Sequence, residues 1–196
     1  MRRAARLTAL AAVGAVVAVA VPAGPAAGQS SNPLLATARL QGTFHLGGRL
    51  TVAAHVLGER VGQAITRNWS FSSFCDTGAC PTVTLIRQRA GASDTLTLQR
   101  RSPGYYVGYG SFYAPLQCGP TTYSAGERVP FTITVRVTGA YVQNGSAVAN
   151  NISATYGNGY RINLTPCVGV LGHDAAVYQG RLIGPANDRA AKRRGT

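Results

Sequence analysis

The clearest pattern in this chain is a strict alternation of side chains between Arg128 and Thr138. The odd positions from Val129 to Val137 are all apolar, whereas the even positions hold Arg, Thr and one Pro. Successive side chains of a β-strand point to opposite faces of a sheet, so a period of two predicts one buried side and one solvent-facing side. The segment is therefore predicted to be a long strand of an antiparallel sheet.

Shorter segments elsewhere repeat this alternation. The inward-facing sets that they predict are Leu50, Val52, Ala54 and Val56; Ile65, Arg67, Trp69 and Phe71; Val83, Leu85 and Arg87; Leu96, Leu98 and Arg100; and Ile152, Ala154 and Tyr156. A last strand is predicted from Val177 to Ile183. Tight turns are predicted at Asn144-Gly145 and at Gly157-Asn158-Gly159, because Asn-Gly pairs favour two-residue hairpins.

These segments predict an all-β fold, an antiparallel meander of about eight to ten strands with no helix of three turns. Such a meander hides its edges by closing into a barrel or by stacking two sheets. Turns between consecutive strands favour an up-and-down barrel over a two-sheet sandwich. The predicted strand order is lipocalin-like, a resemblance of fold that implies no function.

The N-terminal residues differ in composition from the strand-rich part. Arg2, Arg3 and Arg6 precede an apolar run from Leu7 to Val21, and Ala26-Ala27-Gly28 supplies small residues. This order is typical of a secretory signal peptide. We expect four parts: a signal peptide at 1–28 with cleavage near Gly28, a flexible N-terminus at 29–35, a single β domain at 36–184 and a disordered basic tail at 185–196.

A signal peptide predicts a protein of the extracellular medium or the cell envelope. The apolar run is shorter than the roughly 20 residues of a spanning helix, which predicts no stable membrane insertion. Lys192 is the only lysine beside many arginines, a usage typical of GC-rich bacterial genomes, and the formal net charge is +13. An exported basic protein meets acidic envelope polymers before nucleic acid, so we expect no nucleic-acid partner. We also expect the protein to be a monomer. A basic surface that is simply solvated is the alternative.

Four cysteines lie in the predicted β domain, at Cys75, Cys80, Cys118 and Cys167. An even count in an oxidising compartment predicts two disulfides, for which three pairings are possible. We favour Cys75–Cys80 and Cys118–Cys167, because turn-forming residues separate the first pair and can bring its Cα atoms within bridging range. A zinc site would need paired Cys-x2-Cys spacings, so we predict no metal and no cofactor.

Two arginines, Arg67 and Arg87, have the inward parity of apolar neighbours such as Trp69. An unpaired buried charge is expensive, so they indicate either the anion-recognising rim of a pocket or a structural plug over an aromatic ring. The tyrosine-rich segment that begins at Tyr105 is either a ligand-binding surface or ordinary strand propensity. The candidate ligand-binding residues are Arg67, Trp69, Arg87, Tyr105 and Tyr109.

No arrangement of residues predicts catalysis. The three histidines and six acidic residues are scattered, and Ser111 does not lie in a Gly-x-Ser-x-Gly motif. No His-Glu-x-x-His motif occurs. We therefore predict a protein that is not an enzyme and has no catalytic residues.

The stretch Arg67-x-Trp69-x-Phe71-x3-Cys75-x2-Gly78-x-Cys80 resembles a pattern in uncharacterised small secreted all-β domains of GC-rich bacteria. The resemblance implies secretion, a Cys75–Cys80 disulfide and an all-β fold, and it implies no activity. The function predicted is a secreted barrel that binds a small or anionic ligand, or an envelope polymer. The alternatives are an interaction or inhibitor module that acts through exposed loops, and a secreted hydrolase with a perturbed carboxylate or histidine in a cleft.

Overall fold

The computed structural model describes residues 32–75, 78–89, 91–167 and 170–184. The predicted signal peptide and the predicted tail lie outside the described residues. One short helix and nine strands are formed, which are α1 (Pro33–Thr37), β1 (Gly42–Ala54), β2 (Ala64–Ser72), β3 (Thr82–Arg89), β4 (Ala92–Ser102), β5 (Tyr105–Cys118), β6 (Thr121–Gln143), β7 (Ser146–Gly157), β8 (Ile162–Asn163) and β9 (His173–Gly184).

Eight of the strands form a closed antiparallel barrel. Strands β1 to β7 follow one another around the wall, and β9 completes the ring between β7 and β1. The remaining strand, β8, pairs outside the ring with Glu127 and Arg128 of β6. The predicted up-and-down barrel is therefore confirmed, and the sandwich alternative is not the observed fold.

Alternating side chains fill the barrel as the sequence predicts. The odd positions of β6 from Val129 to Val137 are all buried, as are Trp69 and Phe71 of β2. Burying one large apolar side chain is worth about 1.5–3 kcal/mol, so the inward rows supply most of the stabilisation. The rings of Phe44 and Phe71 pack edge to face at 5.4 Å between centroids.

In β1 the predicted alternation ends at Leu50. The register of β1 against β9 shifts between Leu50 and Val52, and beyond this point Ala53 packs against the core. An irregularity that adds a residue to one strand reverses the side on which the following residues lie. The prediction that Val52 and Ala54 face inward is therefore wrong.

The two predicted Asn-Gly turns have different outcomes. Asn144 and Gly145 both have positive φ, 50° and 76°, and join β6 to β7 as a two-residue hairpin. The predicted hairpin at Gly157-Asn158-Gly159 is wrong, because β8 pairs with β6 and not with β7. Asn158 is instead buried, and its side chain donates to the hydroxyl of Tyr156.

We call the barrel end that carries the β2–β3 loop the lower end, and the opposite end the upper end. The lower end is closed by the segment that begins with α1: Leu40 is fully buried, and the Arg100 guanidinium donates to the Ala36 carbonyl at 2.9 Å. Pro33 to Leu35, at the end of the predicted N-terminal segment 29–35, form the first part of α1. A Pro at the helix start and the Asn32 side chain accepting from the Leu34 amide favour this turn.

Both predicted disulfides are present. Cys75–Cys80 closes the β2–β3 loop at the lower end, and Cys118–Cys167 ties the end of β5 to the segment after β8 at the upper end. Disulfides of this kind are typical of an oxidising, extracellular environment. Within the described ranges, no helix combines the length and the apolar character needed to cross a membrane.

Candidate functional site

A cavity of about 180 Å³ lies inside the upper half of the barrel. Its wall includes Arg67, Arg87 and Arg89, the carboxylates Glu59 and Asp174, and the rings of Trp69, Phe112, Tyr156 and Tyr178. An apolar cavity of roughly 150 Å³ holds benzene, whereas drug-sized ligands need about 300–1,000 Å³. The cavity therefore fits a molecule of one ring or a short chain.

Three of the five predicted ligand-binding residues meet at this cavity. Arg67 and Trp69 reach it from β2, and Arg87 reaches it from β3. Tyr105 and Tyr109 are not brought there, because they lie on the outer face of β5. Tyr106 takes the inward position between them and is fully buried.

Arg87 is held by a carboxylate and by aromatic rings. Its Nη2 and Nε atoms donate to Oδ2 of Asp94 at 2.5 and 3.1 Å. Its guanidinium carbon lies 4.1 Å from the ring centroid of Phe131 and 4.8 Å from that of Tyr156. A compensated charge packed over rings matches the structural-plug interpretation of this arginine.

Arg89 and Arg67 differ in their compensation. Arg89 Nε donates to the same Oδ2 of Asp94 at 2.8 Å, so one carboxylate serves two guanidinium groups. Arg67 Nη1 donates to the carbonyl of Thr66 at 2.8 Å. Among the residues that the structure describes, no carboxylate lies within ion-pair distance of Arg67. Arg67 is therefore the one of the three cavity arginines that forms no ion pair within the described residues.

A second charged cluster joins β6, β9 and the segment after β7. Arg161 donates to Glu127 Oε1 at 2.7 Å and to Asp174 Oδ1 at 2.8 Å, and all three side chains are buried. Asn158 donates to the same oxygen of Asp174. Burial lowers the pKa of Arg161, but the hydrogen bonds to Asp174 and Glu127 outweigh this and leave the pKa raised.

This cluster was not predicted from the sequence, although the strand parities of its two carboxylates indicate it. Glu127 has the parity of the buried Val129, and Asp174 has the parity of the buried Ala176. An acidic residue in the inward row of a strand needs a buried cation, for the same reason that an inward arginine needs an anion. No local pattern indicated that Arg161 would supply it.

Glu59 extends the cavity wall from the loop between β1 and β2. Burial raises the pKa of its carboxyl and Asp174 adds to the rise, whereas Arg161 and Arg67 oppose it. Its Oε2 atom is buried and has no hydrogen-bond partner in the described part of the chain. Glu59 is thus a carboxyl whose charge is poorly supported by its surroundings.

The barrel wall is incomplete beside the cavity. Strand β2 pairs with β3 only from Trp69–Arg87 to Ser72–Thr84, so the ladder stops below Arg67 and Arg89. An outer depression of about 190 Å³ at this point shares Arg67, Gln88 and Arg89 with the inner cavity. We call this unpaired part of the wall the β2–β3 seam. Arg67 of β2 and Arg89 of β3 flank the seam, and both line the outer depression and the inner cavity.

Within the described residues, no three His, Cys, Asp or Glu side chains cluster in a way that could hold a metal ion. No family model matches the chain, and a search of the curated proteins finds no match. What the fold and site define is a closed eight-stranded barrel whose inner cavity is lined by arginines and aromatic rings.

Proposed function

We propose that this protein is a secreted, non-enzymatic barrel that binds a small organic anion in its upper cavity. The observation that carries the proposal is Arg67, a cavity-lining guanidinium that has no carboxylate partner among the described residues. A guanidinium in such a site recognises carboxylate or sulfonate groups through paired hydrogen bonds.

The apolar part of the wall indicates the rest of the ligand. The rings of Trp69 and Tyr178 lie 5.3 Å apart, and both line the cavity beside Arg67. The indole N–H of Trp69 is buried without a hydrogen-bond partner in the described chain. A ligand with one aromatic ring or a short aliphatic body and one acidic group would fill this volume and pair with Arg67.

The β2–β3 seam supports the same proposal. Arg67 and Arg89 line both the outer depression and the inner cavity, so an anion near the seam would meet positive charge on its way inward. Charge of one sign around an opening raises the local concentration of the opposite ion. Export of the protein is supported by the predicted signal peptide and by the two disulfides.

The test is isothermal titration with benzoate, using neutral benzamide as the matched ligand control. We expect benzoate to bind and benzamide to bind at least about tenfold more weakly, because only the carboxylate pairs with Arg67. Arg67→Gln should remove this preference, whereas Arg181→Gln, a change of an exposed arginine on β9, should keep it. Equal binding of both probes, or binding of neither, would overturn the proposal.

A hydrolase is the second candidate, and Glu59 is the observation that favours it. A carboxyl whose pKa is raised at a cavity wall is the state expected of a general acid. The second carboxylate of the cavity, Asp174, argues against a hydrolase. Arg161 and Asn158 already donate hydrogen bonds to it, so it is not a free catalytic partner for Glu59. Hydrolysis of a glycoside or ester probe that disappears in Glu59→Gln would favour this candidate over the binding protein.

A further inference from the structure

The outer wall of the barrel carries a row of three tyrosines that the cavity does not use. Tyr105, Tyr109 and Tyr113 occupy every fourth position of β5 and share its outward face. Tyr109 and Tyr113 are 66% and 61% exposed. Four strand residues span about 13 Å, so the row is roughly 27 Å long. We call these three residues the tyrosine row.

Arginines stand beside both ends of the tyrosine row. On the neighbouring strand β6, Arg136 is the partner of Tyr105, and Arg128 is the partner of Tyr113. The Arg136 guanidinium carbon lies 4.9 Å from the centroid of the Tyr105 ring. Thr132 lies opposite Tyr109, and the outward positions between the tyrosines pair Val107 with Thr134 and Ser111 with Pro130. Three tyrosine rings therefore lie along one outward-facing strip, with a guanidinium group beside the first ring and another beside the last.

The positive charge of this strip is not balanced on the outer wall. The carboxylates of the described residues are Glu59, Asp94, Glu127 and Asp174. Asp94, Glu127 and Asp174 are held in ion pairs of low exposure, and Glu59 lines the cavity. The outer wall of the described barrel thus exposes arginines without acidic neighbours, which favours an acidic partner.

We propose that the tyrosine row, with Arg128 and Arg136, binds a linear anionic polysaccharide. Sugar rings present flat C–H faces that pack on tyrosine rings, and acidic groups along the polymer would pair with the two arginines. Outside the tyrosines, Val107 and Pro130 are the apolar residues of this strip, and two small side chains beside two arginines do not suit an apolar protein partner. Single-stranded nucleic acid stacks on rings too, but rings about 13 Å apart form no continuous platform for successive bases.

The test compares binding of polygalacturonate, neutral dextran and oligo-dT to the disulfide-bonded protein, by biolayer interferometry at moderate salt. We expect polygalacturonate to bind and dextran not to bind. The double variant Tyr109→Ala, Tyr113→Ala should lose about fivefold or more in affinity for polygalacturonate, as expected when ring stacking is removed. The double variant with Phe at both positions keeps the rings and should bind like the native protein.

Two further variants test whether binding of polygalacturonate depends on the tyrosine row and not on other tyrosines or on the cavity. Tyr160→Ala removes a tyrosine of similar exposure, 63%, at another site and should leave the affinity unchanged. Arg67→Gln alters the cavity and should also leave it unchanged. The proposal is overturned if polygalacturonate does not bind, if the alanine double variant binds normally, or if oligo-dT binds more tightly than polygalacturonate.

Discussion

Arg87 on β3 and Asp94 on β4 are direct cross-strand partners inside the barrel, with 2.5 Å between Nη2 and Oδ2. The register of the two strands brings the carboxylate to the arginine, and the ring of Phe131 covers the guanidinium. Arg67 lies at the same cavity without a carboxylate partner among the described residues. Two inward arginines on neighbouring strands therefore differ in their ion pairing, and we propose that Arg87 is structural and that Arg67 is available to a ligand.

Replacing these two arginines should separate stability from binding. Arg87→Ala leaves Asp94 less compensated and removes the packing over Phe131, so we expect a loss of about 3 kcal/mol in the free energy of unfolding. Arg67→Ala should cost less than about 1 kcal/mol and should abolish the preference for benzoate over benzamide. Urea unfolding measures the free energy of unfolding of both variants, and isothermal titration measures their preference for benzoate over benzamide. Equal stability losses would contradict the division of roles.

The raised pKa of Glu59 predicts a pH dependence of stability. A carboxyl whose pKa is higher in the folded state stabilises the fold fully below its ordinary pKa of 4.5. That contribution is lost as the pH rises through the folded-state pKa. The free energy of unfolding of the native protein should therefore fall, relative to that of Glu59→Gln, between pH 4 and neutral pH. Parallel profiles of the two proteins would contradict the raised pKa.

The same carboxyl should affect anion binding. Ionised Glu59 places a negative charge on the cavity wall, so affinity for an anion should rise as the pH falls and Glu59 is protonated. Benzenesulfonate is the suitable probe, because its sulfonate stays ionised over this range. Glu59→Gln should bind it more tightly at neutral pH and show a flatter pH profile. An affinity that falls on acidification in the native protein would argue against an anion site beside Glu59.

Gly110 on β5 should be required for the aromatic packing around Arg87. A Cβ atom at this position would overlap the ring of Phe131, which covers the guanidinium. We expect Gly110→Ala to lower the free energy of unfolding by about 1–3 kcal/mol through overpacking. Gly47→Ala is the matched control, because a Cβ atom there meets no atom within 4 Å. The two variants are compared by thermal unfolding, and equal melting temperatures would contradict this packing role.

Much of the fold could be predicted because its signals are local. The alternation in β6, the Asn144-Gly145 turn and the parity of Arg67 with Trp69 each depend on a few neighbouring residues. The same period of two applies to β5. Because Tyr106 is buried, Tyr105 and Tyr109, which have the opposite parity, point outward.

The rest depends on contacts between distant residues. The irregularity after Leu50 is a property of how β1 meets β9, and nothing in the β1 sequence marks it. The local sequence predicts a turn at Asn158 and Gly159, whereas the Asn158 side chain is buried and donates to Asp174 of β9. The ion pairs of Arg161 connect β6 and β9 to the segment after β7, which no local pattern predicts. These pairs occupy Glu127 and Asp174, so the folded barrel is needed to see that Arg67 has no carboxylate partner among the described residues.

The measurement that tests the central claim most directly is native mass spectrometry of the protein purified without denaturation from the medium of its own host. The native protein and Arg181→Gln should each carry a small organic acid, identified by its mass after release, and Arg67→Gln should be free of it. A native protein without any bound molecule, or an Arg67→Gln variant that still retains the acid, would contradict a cavity that recognises an anion through Arg67.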